Sequence, residues 1–334
     1  MVREHLVHIY KKQVLSSGLC SEKLPHSPLR QRENTLYMSA QSADCDYKFI
    51  QYFRICATFW LKVITFVQTS VVIMTEVRAK KALGQHFLTD LNIAQKICNS
   101  LGGGTAEEPY PTLEVGCGMG VLTQYLLRRD DIVTYGAEID SESVEYLHAH
   151  YPDFAPRLIE GDFLKMDLHE RFPQGVRIIG NFPYNISSQI FFKIIENRDL
   201  VPECVGMIQK EVAVRIAEPP GSREYGILSV LLQAWYDIEY LFTVSEKVFN
   251  PPPKVKSAVI RLRRNNTTHL DCDEQLFVKV VKASFGQRRK MLRNSLRAVF
   301  GQFGGAEHPL FSTRAEQLSV EQFVELTRWV AEHI

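Results

Sequence analysis

The sequence predicts an α/β protein, a doubly wound Rossmann-like sheet followed by a small C-terminal helical domain. Strand-like apolar runs beginning near Thr112, Val133, Arg157, Val176 and Val205 alternate with helical periodicity, as expected for parallel strands joined by crossover helices. A glycine-rich turn, Gly116-Cys117-Gly118-Met119-Gly120, connects the first of these strands to the next helix. Past Arg264 the signal turns helical.

The elements follow in order along the chain. Asp90 suits the N-cap of a helix over 90–101, because its carboxylate can accept orphan N–H groups of the first turn. Leu113-Glu114-Val115 is a strand that enters the glycine turn, and residues 121–129 read as the helix behind it. A second strand over 133–139 ends at Glu138 and Asp140, and a third short one leads to Glu160-Gly161-Asp162. Val176, Ile178 and Ile179 mark a strand that delivers Asn181-Phe182-Pro183-Tyr184. Runs at 238–244 and 258–262 are expected to add an antiparallel pair at one sheet edge. Ser319-Val320-Glu321-Gln322 is a capping box for a helix over 323–330.

Composition is that of an ordinary globular chain. With 334 residues, 45% hydrophobic and 23% charged, it is long enough for two domains, expected at 74–266 and 267–334. Seven cysteines are scattered without a C-x-x-C pair or a neighbouring His set, which argues against a zinc site or a disulfide framework. No metal is expected, and a reducing cytoplasm is. Each cysteine reads as a small buried apolar group except Cys117, which lies in the glycine turn. The net charge of +1 hides an asymmetry: residues 74–246 hold 15 Lys/Arg against 25 Asp/Glu, while 247–297 hold 13 against 3. Arg288, Arg289, Lys290 and Arg293 are the densest part, on a helical stretch whose apolar face is Phe277, Val281, Phe285, Leu292, Leu296 and Phe300. Such charges often only solvate a helix, but their excess over acids favours contact with nucleic-acid phosphates.

The glycine spacing separates two classes of ligand. A dinucleotide fingerprint is G-x-G-x-x-G, and here Val121 stands in the place of its third glycine. A β-branched residue there weakens the dinucleotide reading. S-adenosylmethionine carries no phosphate and suits a glycine turn preceded by an acid such as Glu114, with Glu138 on a ribose diol and Asp162 on an adenine amine. Asn181-Phe182-Pro183-Tyr184 could be merely a helix-starting turn with a buried Tyr. It also fits an exocyclic amine: the Asn181 side-chain oxygen and the Phe182 carbonyl accept its two N–H bonds, Pro183 fixes φ, and Tyr184 offers a stacking face. That chemistry is N-methylation.

Ordered blocks then make the chain resemble a known family. Lys81-Ala82-Leu83-Gly84-Gln85-His86-Phe87-Leu88, the glycine turn, Glu138-Ile139-Asp140, Gly180-Asn181-Phe182-Pro183-Tyr184, residues 220–230, Pro251-Pro252-Pro253-Lys254 and Phe285-Gly286-Gln287-Arg288-Arg289-Lys290 resemble the ribosomal RNA adenine N6-dimethyltransferases, within them the bacterial small-subunit (16S) branch. The resemblance runs from about Arg78 to the C-terminus. It implies a class I methyltransferase sheet, S-adenosylmethionine as cofactor, and cofactor contacts at His86, Leu88, Gly116, Glu138, Asp162 and Asn181. It also implies that Phe249 joins Tyr184 in sandwiching the target base, and that the substrate is two adjacent adenosines near the 3′ end of 16S ribosomal RNA in an immature small subunit. A monomer is expected. Members commonly carry Pro at Cys117, Leu at Phe182 and often Asn at His86, so those three positions depart from the pattern. A large-subunit enzyme of the macrolide-resistance type and a non-catalytic assembly factor are the alternatives, and the 220–230 block and the three prolines favour the small-subunit branch.

Residues 1–73 match nothing in that family. The stretch 55–74 is apolar apart from a few polar residues and Lys62, nearly the length of a membrane span. It reads as an anchor, a signal peptide or sequence upstream of a true start at Met74. The last is favoured, so no membrane association is expected.

Overall fold

The computed structural model describes residues 77–334, and the expectations for residues 1–73 lie outside them. Two short strands, β1 (Phe87–Leu88) and β8 (Phe249–Asn250), pair antiparallel apart from the main sheet. Seven strands form that sheet: β2 (Tyr110–Val115), β3 (Ile132–Glu138), β4 (Leu158–Glu160), β5 (Arg177–Asn181), β6 (Glu203–Gln209), β7 (Tyr236–Val244) and β9 (Ser257–Arg264). Their order is β4-β3-β2-β5-β6-β9-β7. The first five are parallel, and β9 and β7 are antiparallel to their neighbours, as the two late strand-like runs indicated. The chain leaves β2 and returns to β5 on its other side, so the strand order reverses there, which opens a crevice at the strand C-termini.

The central strands read as near-continuous apolar runs because helices cover both faces. Leu113, Ile178, Ile179, Val205 and Met207 are fully buried. Between the strands lie α1 (Leu91–Asn99), α2 (Thr123–Leu126), α3 (Ser141–His150), α4 (Leu168–Arg171), α5 (Ser187–Glu196), α6 (Lys210–Ala217) and α7 (Ile227–Gln233). Asp90 caps α1 by accepting the N–H groups of Asn92 and Ile93 at 2.9 and 3.1 Å. The helix expected over 121–129 is regular only as α2, with turns on either side.

The C-terminal part is helical: α8 (Glu274–Gly286), α9 (Leu292–Phe300) and α10 (Val320–His333). Ser319 and Gln322 form the expected capping box at the start of α10. These helices share one apolar cluster with the sheet, in which the Trp235 ring meets Phe277 edge-on at 6.0 Å. The basic stretch is not one helix. Gly286 ends α8, and residues 287–291 form the turn into α9, so Arg288, Arg289 and Lys290 stand on a turn rather than a helix face.

Candidate functional site

A cavity of about 200 Å³ opens beyond the C-terminal ends of β2, β3, β4 and β5. Its walls are residues 83–88, the glycine turn, the ends of β3 and β4, and residues 181–186. Gly116 and Gly118 have φ of 76° and 54°, a region that side chains rarely adopt. A Cβ on Gly118 would come within 3.0 Å of the Phe87 ring, whereas one on Gly116 would meet nothing nearer than 3.8 Å. Bare backbone therefore faces the cavity at Gly116.

Among the described residues, three carboxyl groups line the cavity and no Lys or Arg does. Glu138, nearly buried at the end of β3, accepts the Gly118 N–H at 2.8 Å on one oxygen and the Ile139 and Asp140 N–H groups, both at 2.9 Å, on the other. Burial raises its pKa, and these three bonds work against the rise. Glu138 thus shapes the glycine turn as well as facing the cavity. Glu114 is buried, takes the Thr123 hydroxyl at 2.6 Å, and is pushed up to about 8 by desolvation, so it is mostly neutral at pH 7. Asp162 caps a single helical turn through the Leu164 N–H at 2.9 Å.

Asn181 ends β5 facing the chain at His86. Its Nδ2 donates to the His86 carbonyl at 2.9 Å. A carbonyl can only accept, so the amide nitrogen must face it and Oδ1 turns the other way. The Phe182 N–H is held by the Met207 carbonyl at 3.0 Å. Among the described residues no donor meets Asn181 Oδ1 or the Phe182 carbonyl. The Phe182 ring itself is buried in the space left by Gly180 and Gly206, where a Cβ would collide with it at 2.8 and 2.6 Å, and it meets Phe191 edge-on. Tyr184 lines the cavity, with its hydroxyl bonded to Ser257 and its ring 5.3 Å from the His86 ring.

His86 and Leu88 also line the cavity. The His86 Nδ1 lies 2.8 Å from the Pro251 carbonyl, so that nitrogen carries the proton and donates. Phe249 is not brought to the cavity wall. It stands opposite Leu88 in the β1–β8 pair, 4% exposed in a second apolar cluster, so the expected sandwich with Tyr184 is not formed here. Cys117 turns its thiol inward against Val144, Leu147, Phe154 and Leu158, where burial pushes its pKa far up. It is therefore another small buried apolar group rather than the exception.

The expected phosphate contacts divide. Arg288 donates to the carbonyls of Arg223 and Tyr225, tying residues 223–225 to the turn after α8. Arg293 pairs with Glu307 at 3.1 Å. Arg289 and Lys290 are exposed with no partner among the described residues. Sequence reasoning missed Ile139, a 55% exposed apolar side chain on the cavity wall, and Lys80, whose ammonium pairs with Asp140. An exposed Ile between two strand-end acids was a local signal for the first. The second pairing spans sixty positions and left none.

Comparison with known proteins agrees with this geometry. The family model described as Ribosomal RNA adenine dimethylase matches residues 76–332. The chain is 57% identical over 262 residues to Ribosomal RNA small subunit methyltransferase A of Parabacteroides distasonis, covering 78% of this chain and 97% of that one. It is 59% identical over 261 residues to the protein of the same name from Bacteroides thetaiotaomicron, covering 78% and 96%. Among solved structures it is similar to a dimethyladenosine transferase from Plasmodium falciparum, with a TM-score of 0.61, 25% identity and coverage of 74% and 98%. The 23S rRNA methyltransferase ErmE shares the fold at 23% identity and a TM-score of 0.55, with coverage of 73% and 99%. No described helix is long and apolar enough to cross a membrane. On a match that spans most of its length and relatives above half identity, the chain belongs to the ribosomal RNA adenine dimethylase family.

Proposed function

We propose that this protein transfers methyl groups from S-adenosylmethionine to N6 of two adjacent adenosines near the 3′ end of 16S ribosomal RNA, within an immature small subunit in the cytoplasm. The observation that carries the reading is the pair of acceptors left unmet among the described residues, Asn181 Oδ1 and the Phe182 carbonyl, at the edge of a cavity that those residues line with acids and with no Lys or Arg. A cavity without cationic side chains offers a pyrophosphate no counter-charge and suits a sulfonium cation. Gly116 leaves room for a ligand against the backbone, Glu138 is the proposed partner of the ribose hydroxyls, Asp162 of the adenine amine, and Ile139 an apolar face for the adenine ring.

Bound there, S-adenosylmethionine supplies an electrophilic methyl group. Asn181 and the Phe182 carbonyl hold the two N–H bonds of the target amine, which draws its lone pair out of conjugation with the ring and toward the methyl group. Their work is orientation and it needs no proton acceptor, because the product ammonium is acidic enough to lose its proton to water. Tyr184, fixed by Ser257 and the His86 ring, gives the target base a stacking face once the base has left its helix or loop. Arg289 and Lys290 are the exposed charges proposed for the RNA backbone.

Relatives above 55% identity that are named for the small subunit favour that substrate over the large subunit. The test is methyl transfer from labelled S-adenosylmethionine to purified small subunits that lack the modification, with large subunits alongside. Label in the small-subunit RNA supports the proposal. Label confined to the large subunit, or none, would reject it.

A further inference from the structure

We infer that Lys80 is a positioning residue that latches residues 80–88 over the cofactor cavity and thereby sets how fast the cofactor leaves. This rests on the S-adenosylmethionine reading above. Residues 83–88 form one wall of the cavity. One end of this strap is held by the β1–β8 pairing and by the bond from the His86 ring to the Pro251 carbonyl. The other end is held by Lys80 and, at 3.5 Å, by the Asn185 amide nitrogen donating to the Ala82 carbonyl. Lys80 pairs its ammonium with Asp140 and, at 3.1 Å, with Glu142. Its backbone N–H donates at 2.8 Å to the Gln85 amide oxygen, and the Gln85 amide nitrogen reaches Asp140 at 3.3 Å.

Asp140 makes this latch more than a surface ion pair. Its side chain is 1% exposed, so water cannot solvate its charge. Burial pushes its pKa up, yet bonds from Lys80, Ser143 and Gln85 together hold it below the usual carboxylate range. Asp140 also donates its backbone N–H to Glu138, the carboxylate that holds the glycine turn. Removing the Lys80 charge leaves a buried carboxylate short of its main partner, and Asp140 must move or take a proton. Either response is felt at Gln85 and at Glu138, both on the cavity wall and both bonded to Asp140. Lys80 itself is absent from the cavity wall, so it acts only through these two neighbours.

The experiment uses the full chain and S-adenosylhomocysteine, with Lys80→Met, Lys80→Arg and, as a control, the exposed neighbour Lys81→Met. Dissociation should be on the order of tenfold faster from Lys80→Met, the scale expected when one hydrogen-bonded charge partner is lost from a buried carboxylate. KM for S-adenosylmethionine should rise in proportion while kcat stays nearly unchanged, because the Asn181 bond to the His86 carbonyl and the β1–β8 pairing remain. Lys80→Arg should restore retention, and Lys81→Met should match wild type. A merely structural role would lower kcat and the melting midpoint together, and that pattern overturns the latch. So does wild-type retention in Lys80→Met. If the wild-type protein itself fails to bind S-adenosylhomocysteine, the cofactor reading fails first and the latch falls with it.

Discussion

Asn181→Ala is the substitution that probes the amine-holding geometry most sharply. It deletes Oδ1, one of the two acceptors proposed for the target N–H bonds, and it also removes the Nδ2 donor from the His86 carbonyl at 2.9 Å. Loss of a single positioned hydrogen-bonding group in a transition state costs about a hundred- to a thousandfold in kcat, roughly 2.7–4 kcal/mol. The orphaned His86 carbonyl adds a separate stability cost of about 1 kcal/mol, the low end of the range for an unmet buried group because Asn181 is only half-buried and water can reach the site. The two effects differ in their readout. Labelled methyl transfer to small subunits should fall by at least about two orders of magnitude, while RNA affinity holds and the melting midpoint drops by only a few degrees. Turnover within threefold of wild type would refute the role of Asn181.

Three further predictions rest on the site and its surroundings. Glu138→Ala should weaken S-adenosylmethionine binding in calorimetry and lower thermal stability, since the Gly118, Ile139 and Asp140 N–H groups lose their acceptor; unchanged affinity would place the ribose elsewhere. Glu114, raised from 4.5 to about 8 by burial, binds its proton more tightly folded than unfolded, so its stabilising contribution is full below about pH 4.5 and is lost as pH rises through about 8. Glu114→Gln should therefore flatten the fall in melting midpoint between pH 5 and 8, and an unaltered slope would show that the group is already ionised. Neutralising Arg289 and Lys290 together should flatten the slope of log RNA affinity against log salt by about 1.4 to 1.8, at 0.7 to 0.9 per lost phosphate contact, whereas Arg288→Ala should leave the slope alone and destabilise the 223–225 segment. Equal slope changes for both variants would show that Arg288 contacts RNA after all.

What the sequence made legible was what local pattern controls. Asp90 and the Ser319–Gln322 box announce their helices because a cap is settled within three residues. The strand ends at Val115, Glu138 and Asn181 could be placed because each strand-like run gives way there to a turn or a polar residue, and parallel topology brings such ends to one edge. Contacts between distant segments were not legible. Arg288 looks identical to Arg289 and Lys290 in a charge count, and only folding brings the Arg223 and Tyr225 carbonyls, over sixty residues away, within its reach. Arg293 is met by Glu307 for the same reason. Phe249 enters the expected sandwich only through the family resemblance, and no local pattern separates a stacking role from a core one. Its register opposite Leu88 decides for the core in this state of the protein. The Phe182 position shows the converse, a larger ring than the family's usual Leu made possible by Gly180 and Gly206, which a pattern search along one strand does not connect.

The most direct test of the central claim is nucleoside mass spectrometry of 16S ribosomal RNA after unmodified small subunits react with the full protein and S-adenosylmethionine. Two adjacent residues near the 3′ end should be converted to N6,N6-dimethyladenosine, with at least about a hundredfold less formed per unit time by Asn181→Ala. Methylation at a different base or ring position, or stable subunit binding with no methylated adenosine at all, would contradict it.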